Sequence, residues 1–151
     1  MGGADVEAEN WEHRTPLHAA ASQGHEAVVQ LLLEEKADIE RADVRGYKAL
    51  HLAAKYGHVA VARLLLNSNA NVNGRTRDGK TAIHYAAQYG FVAVIRLLLD
   101  YSADIGALDA ANTTPLHSAA FCGHLLSVQL LLERGAIASA CDNNKRTPLH
   151  E

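Results

Sequence analysis

Proline is scarce in this chain and it is not scattered. The three prolines each stand second in the same four residues, Thr15-Pro16-Leu17-His18, Thr114-Pro115-Leu116-His117 and Thr147-Pro148-Leu149-His150. Aromatic residues are also few, with two Phe, one Trp and five Tyr. A core must therefore be built from aliphatic side chains, and hydrophobic residues at 48% of the chain are ample for that. The two cysteines, Cys122 and Cys141, fall at different positions of the pattern described below. They read as incidental thiols of a reducing compartment and exclude a disulfide framework. No apolar run approaches the ~20 residues that cross a bilayer, and no signal-peptide pattern opens the chain, so membrane insertion is not expected. Charged residues make up 21% with no long run of one sign, which argues against a disordered tail. The net charge of -3 gives no global pull toward nucleic acid. No glycine-rich loop suited to a phosphate is present.

What the chain does have is a period. His18, His51, His84, His117 and His150 each follow the one before by the same step, as do Gly24, Gly57, Gly90 and Gly123. The triplets Leu31-Leu32-Leu33, Leu64-Leu65-Leu66, Leu97-Leu98-Leu99 and Leu130-Leu131-Leu132 keep that step too. A fixed period of this length means one supersecondary unit stacked on copies of itself. The units run 10–42, 43–75, 76–108 and 109–141, with a partial unit at 142–151 and a leader at 1–9. Met1 to Asp5 show no periodicity and are read as a disordered leader or a residue of cloning.

Within a unit the local signals agree. A turn comes first, with Gly46 or Gly79 supplying positive φ. Thr15 then caps a short helix, and Pro16 takes the first position, where a missing N–H costs nothing. Ala19 and Ala20 are small enough for neighbouring helices to approach. Gly24 ends the helix. A second helix follows through Val28-Val29 and Leu31-Leu32-Leu33, apolar around most of its circumference and so buried between neighbours. Lys48-Ala49 lose the cap and the proline of the second unit, a deficit of roughly 0.5–2 kcal/mol. Asn112 replaces the turn glycine, and Phe91 stands where the other units carry His25, His58 and His124. Leu125, Leu126 and Leu130 are expected to be partly uncovered, as in a fragment of a longer array.

The Thr-Pro-Leu-His, Ala-Ala, Gly-His, Leu-Leu-Leu and Ala-(Asp/Asn)-(Ile/Val) skeleton resembles the ankyrin repeat over nearly the whole chain, from about residue 10 to 151. The resemblance implies an all-α ankyrin-repeat solenoid of stacked helix-turn-helix units with projecting β-hairpin-like turns. It also implies that the repeated histidine bridges backbone groups within and between units. Two hairpin-tip positions, the residue before the cap and two positions late in the first helix should face a concave groove. Carried over, these are Trp11, Arg14, Arg45, Tyr47, Lys55, Tyr56, Arg77, Lys80, Gln88, Tyr89, Phe121, Cys122 and Arg146, with Glu12, Ser22, Gln23, Val44, Asp78, Ala110, Ala111, Thr113, Asn143 and Asn144 beside them. Five of the few aromatics fall in this set, and Tyr and Trp are enriched at binding hot spots. Six cations stand in it against Glu12 and Asp78, so the groove is positive on an otherwise acidic body. Tyr85 and Phe91 are assigned to packing, and Tyr101 could extend the surface. The resemblance further marks Asn73 as a position for side-chain hydroxylation, although Asn71 replaces the acidic residue usual before it.

Catalysis and metal binding are weaker readings. The seven-residue spacing of His18 and His25, and of its copies, follows from the repeat and brings no close ligand set together. Cys122, the only plausible nucleophile, lies at a helix C-terminus, where the dipole disfavours negative charge. The sequence therefore points to a non-enzymatic scaffold or adaptor without cofactor or metal. It would be intracellular and monomeric, and it would bind another protein that offers an acidic and apolar surface. The alternatives are spacer repeats without a groove ligand, an engineered ankyrin binder, and nucleic-acid binding through the basic groove.

Overall fold

In a computed structural model, residues 4–149 are described; Met1–Gly3 of the expected leader, and His150 and Glu151, lie outside them. The described residues form helix pairs in strict alternation: α1 (Pro16–Gln23) with α2 (Glu26–Glu34), α3 (Ala49–Lys55) with α4 (Val59–Asn67), α5 (Ala82–Gln88) with α6 (Val92–Asp100), and α7 (Pro115–Phe121) with α8 (Leu125–Glu133). No strand occurs among them. The fold is the all-α solenoid that the period dictates.

Each first helix starts on a residue with extended backbone and its histidine. The Thr15 N–H donates to His18 Nδ1 at 3.1 Å, and the same bond recurs from Thr81 to His84 and from Thr114 to His117. Lys48 lacks the hydroxyl, yet its N–H still donates to His51 Nδ1 at 3.0 Å. The second pair therefore keeps the histidine half of the cap. Each first helix ends before a glycine in the left-handed region, such as Gly57 at φ +76°. A methyl group on Gly57 would stand 2.6 Å from the Phe91 ring. The rings of His58 and His124 sit on Gly24 and Gly90 in the same way. This close approach, and not chain freedom alone, requires the glycine.

The core is one continuous aliphatic row. Leu17, Val29, Leu65, Ile83, Ile95, Leu98, Leu116 and Leu131 are buried in it, with Ala21, Ala53, Ala54, Ala86 and Ala87 letting the first helices close up. First helices pack on each other more closely than second helices do. The stack therefore bends, with α1, α3, α5 and α7 on its inner side. The second helices are less enclosed than their composition suggests, and Arg63 and Arg96 keep an outer face in solvent. At the last pair Leu125 and Leu126 are exposed, whereas Leu130, expected to be partly uncovered, is buried at 4%. Leu31, at the same position of the first pair, is 56% exposed, so this position is covered by the preceding pair.

The described part of the leader, residues 4–9, is not detached. Val6 packs on the core. Glu7 Oε1 accepts the Asp38 N–H at 2.6 Å, as Glu40 accepts from Asn71 and Asn73 from Asp104. Ala4-Asp5-Val6 repeats the chemistry of Ala37-Asp38-Ile39, so these residues continue the phase of the stack.

Candidate functional site

The inner side is built from turns locked by an aspartate. Asp43 Oδ1 accepts the N–H groups of Arg45 and Tyr47 at 2.9 Å each, and Asp109 and Asp142 do the same in later turns. Asn10 serves the first turn. The left-handed position of these turns holds Gly46, Gly79, His13, Asn112 and Lys145, the non-glycines at φ near 60°. Successive tips are tied together: Val44 N–H donates to the Glu12 carbonyl, Arg77 to Arg45, Ala110 to Asp78 and Asn143 to Ala111, at 2.9 to 3.1 Å. The tips thus form a fixed rail along the inner side.

The histidines hold the rail to the helices. Since a backbone N–H can only donate and a carbonyl can only accept, the partners set one tautomer. His18 takes the Thr15 N–H on Nδ1 and donates from Nε2 to the Tyr47 carbonyl at 2.9 Å. His84 reaches the Thr113 carbonyl and His117 the Arg146 carbonyl in the same manner. His51 donates instead to Gly74 at 2.8 Å. Tyr85 lies in the space beside it, its ring 6.1 Å from His51 and 5.3 Å from Tyr47. Burial pushes the Tyr85 phenol up and the imidazoles of His18, His51 and His84 down, His51 to about 4.

The expected groove residues fall into three groups. Arg45, Tyr47 and Arg77 come together with Val44 and Asp78 around a hollow of about 320 Å³. Lys80, Gln88, Phe121, Cys122 and Arg146 line a larger cavity of about 650 Å³ at the far end of the inner side. Lys55 bridges along α3, its Nζ 5.2 Å from the Tyr47 ring and 5.7 Å from the Tyr56 ring. Lys80 Nζ donates to Gln88 Oε1 at 3.1 Å. Tyr56 and Tyr89 occupy the caps of α3 and α5 and are each nearly half exposed. Trp11 stands alone on the first tip, 87% exposed, and Phe121 is 86% exposed. Tyr47 is less free than its position suggests, because Tyr85 backs it. Tyr101 joins none of these groups; it packs on the core, and its hydroxyl bonds Asn67 at the end of α4. Asn73 is exposed, and its side-chain oxygen accepts the Asp104 N–H at 2.8 Å.

Two of the expected cations are already paired. Arg14 Nε donates to Asp43 Oδ2 at 3.0 Å, and Arg146 Nε to Asp142 Oδ2 at 2.9 Å. Burial opposes ionisation of Asp43, but the Arg14 guanidinium and the turn N–H groups outweigh it and hold the carboxyl below its usual range. For Asp142 the Arg146 N–H leads, with the Arg146 side chain adding to it. Sequence reasoning missed these aspartates. Their signal was available, an Asn or Asp opening four turns at the same step: Asn10, Asp43, Asp109 and Asp142. Arg45, Lys55, Arg77 and Lys80 have no carboxylate partner among the described residues. The positive charge of the inner side is therefore concentrated on the two middle pairs.

Among the described residues no group of three or more His, Cys, Asp or Glu side chains is placed to hold a metal, and no helix is long and apolar enough to cross a membrane. Comparison with family models returns Ankyrin repeats (3 copies) over residues 2–76 and 38–109, and Ankyrin repeats (many copies) over residues 92–132. No match was found among curated proteins.

Proposed function

The chain belongs to the ankyrin repeat family, and on that premise we propose that it is a recognition scaffold that holds a partner protein against its inner side and hairpin tips. One observation carries the reading: a chain poor in aromatics leaves Trp11, Tyr56, Tyr89 and Phe121 exposed while aliphatics fill its core. Their chemistry, beside four cations with no carboxylate partner among the described residues, suits a partner surface that is acidic and apolar. The mechanism is preorganisation. The tip rail and the histidine bonds fix the surface before the partner arrives, so little ordering entropy remains to be lost. The recognition unit comprises residues 10–141 as four repeats with the partial repeat after them. It acts as an intracellular monomer, in keeping with two exposed free thiols.

The test is a binding measurement with the Tyr56→Ala and Tyr89→Ala variants. If the tyrosines are hot spots, each loses about 2 kcal/mol or more of affinity with an unchanged melting profile. Near-native affinity in both would remove the aromatic groove from the account and leave the spacer reading.

A further inference from the structure

We infer that the hollow between the second and third hairpin tips receives one carboxylate side chain of the partner, and that this hollow, more than the inner side as a whole, selects for acidic segments. The inference rests on the groove reading above.

Most cations of the inner side are already engaged. Arg14 and Arg146 are spent on Asp43 and Asp142. Lys55 and Lys80 lie over tyrosine rings, Lys80 also on Gln88. Arg45 and Arg77 alone among these cations lack both a carboxylate and a ring among the described residues, and both line the same hollow with Tyr47. Their backbones cannot drift apart, because the Arg77 N–H donates to the Arg45 carbonyl at 3.0 Å. The turn beneath is held by Asp43, which accepts from the Arg45 N–H. Two guanidiniums on tips tied backbone to backbone supply the paired N–H donors that a carboxylate accepts.

Asp78, which lines the same hollow, sets the charge. Two guanidiniums against one carboxylate leave a surplus of a single positive charge, which one Asp or Glu side chain neutralises. A phosphate dianion would be undercompensated there and would meet the Asp78 oxygens. A nucleic-acid backbone needs a longer track of cations than these tips offer.

A random dodecapeptide library is panned on the chain, and the enriched peptides are measured by fluorescence anisotropy. Expected are peptides carrying Asp or Glu, weakened about tenfold or more when that residue becomes Asn or Gln. Amidation of the peptide C-terminus is expected to change nothing, which separates a side-chain carboxylate from a terminal one. Arg45→Ala and Arg77→Ala should each reproduce the loss, while Asp78→Asn should improve binding of a phosphoserine version of the peptide. Circular dichroism melting confirms that the variants remain folded. Peptides that bind without an acidic residue, and lose affinity in Tyr56→Ala but not in Arg45→Ala or Arg77→Ala, overturn the inference and leave the groove reading standing. Failure to enrich any peptide, or binding indifferent to all these variants, brings down both. A single-stranded oligonucleotide that binds more tightly than every peptide overturns the inference in favour of nucleic acid.

Discussion

A buried histidine in this chain is a two-ended clamp that works only when neutral. Nδ1 must accept a backbone N–H and Nε2 must donate to a carbonyl further along the chain, so a second proton destroys the first bond. Burial already disfavours that proton at His18, His51 and His84, and His51 is lowered from 6.5 to about 4. The unfolded chain titrates near the ordinary value and so binds more protons than the folded one between about pH 6.5 and 4. Stability then rises with pH across that window and is lost as pH falls through it. His51 alone accounts for about 3 kcal/mol of this, from the shift to about 4. The lowered carboxyls of Asp43, Asp109 and Asp142 act in the same direction at still lower pH, since their stabilisation is present above the unfolded carboxylate value and lost below it. Urea midpoints taken from pH 7 down to pH 4 should fall steeply for the native chain. His51→Gln should start lower and fall less. Parallel pH profiles for the two proteins would show that the clamp does not titrate as described.

At the scale of the element, the seam between neighbouring second helices has one slot that three pairs fill with valine. Val61 and Val94 are buried there at 1% and 0%, and Val28 holds the same place at the open end. In α8 the slot holds Ser127, fully buried, and its Oγ has no hydrogen-bond partner among the described residues. A buried hydroxyl without a partner costs about 1–3 kcal/mol, and two other seams show that a valine fits. Ser127→Val is therefore expected to raise the stability of the last pair by about 1–2 kcal/mol, read as a higher denaturant midpoint. A loss of stability would mean that this seam is narrower than its copies. The helices themselves were legible in the sequence because each is specified several times over, by cap, histidine, glycine and leucine triplet at one period. The leader at Ala4-Asp5-Val6 reads as aperiodic although it stands one step before Ala37-Asp38-Ile39, because three residues without the cap, histidine, glycine and leucine triplet are a weak signal. The groove was half legible. The period placed the proposed residues on tips and first helices, but the pairing of Arg14 with Asp43, distant in sequence, depends on how two turns come to lie side by side. The Arg146–Asp142 pair spans four positions and could have been read from the turn alone.

For the whole molecule, stacking makes stability a matter of neighbours. A middle pair is covered on both sides and an end pair on one. Ala54 and Ala87 are completely buried, whereas Ala120, their counterpart in α7, is only half-buried. Val28 is 47% exposed where Val61 is sealed. The rigid part of the chain is therefore α3 to α6, and the same stretch carries Tyr56, Tyr89, Arg45 and Arg77. The proposed recognition residues thus lie on the best-covered pairs, which would keep the ordering cost of binding low. Native-state hydrogen exchange should show it directly. Amides of α3 to α6 should open only with free energies near the global value, and those of α1, α2, α7 and α8 at lower cost. Leu65→Ala, in the sealed middle, should remove about 2–5 kcal/mol and lower protection throughout α3 to α6, while Val28→Ala should leave those helices untouched. Uniform protection from α1 to α8 would mean that the chain unfolds as a single cooperative body. The inner side would then owe its rigidity to the whole stack and not to its covered centre.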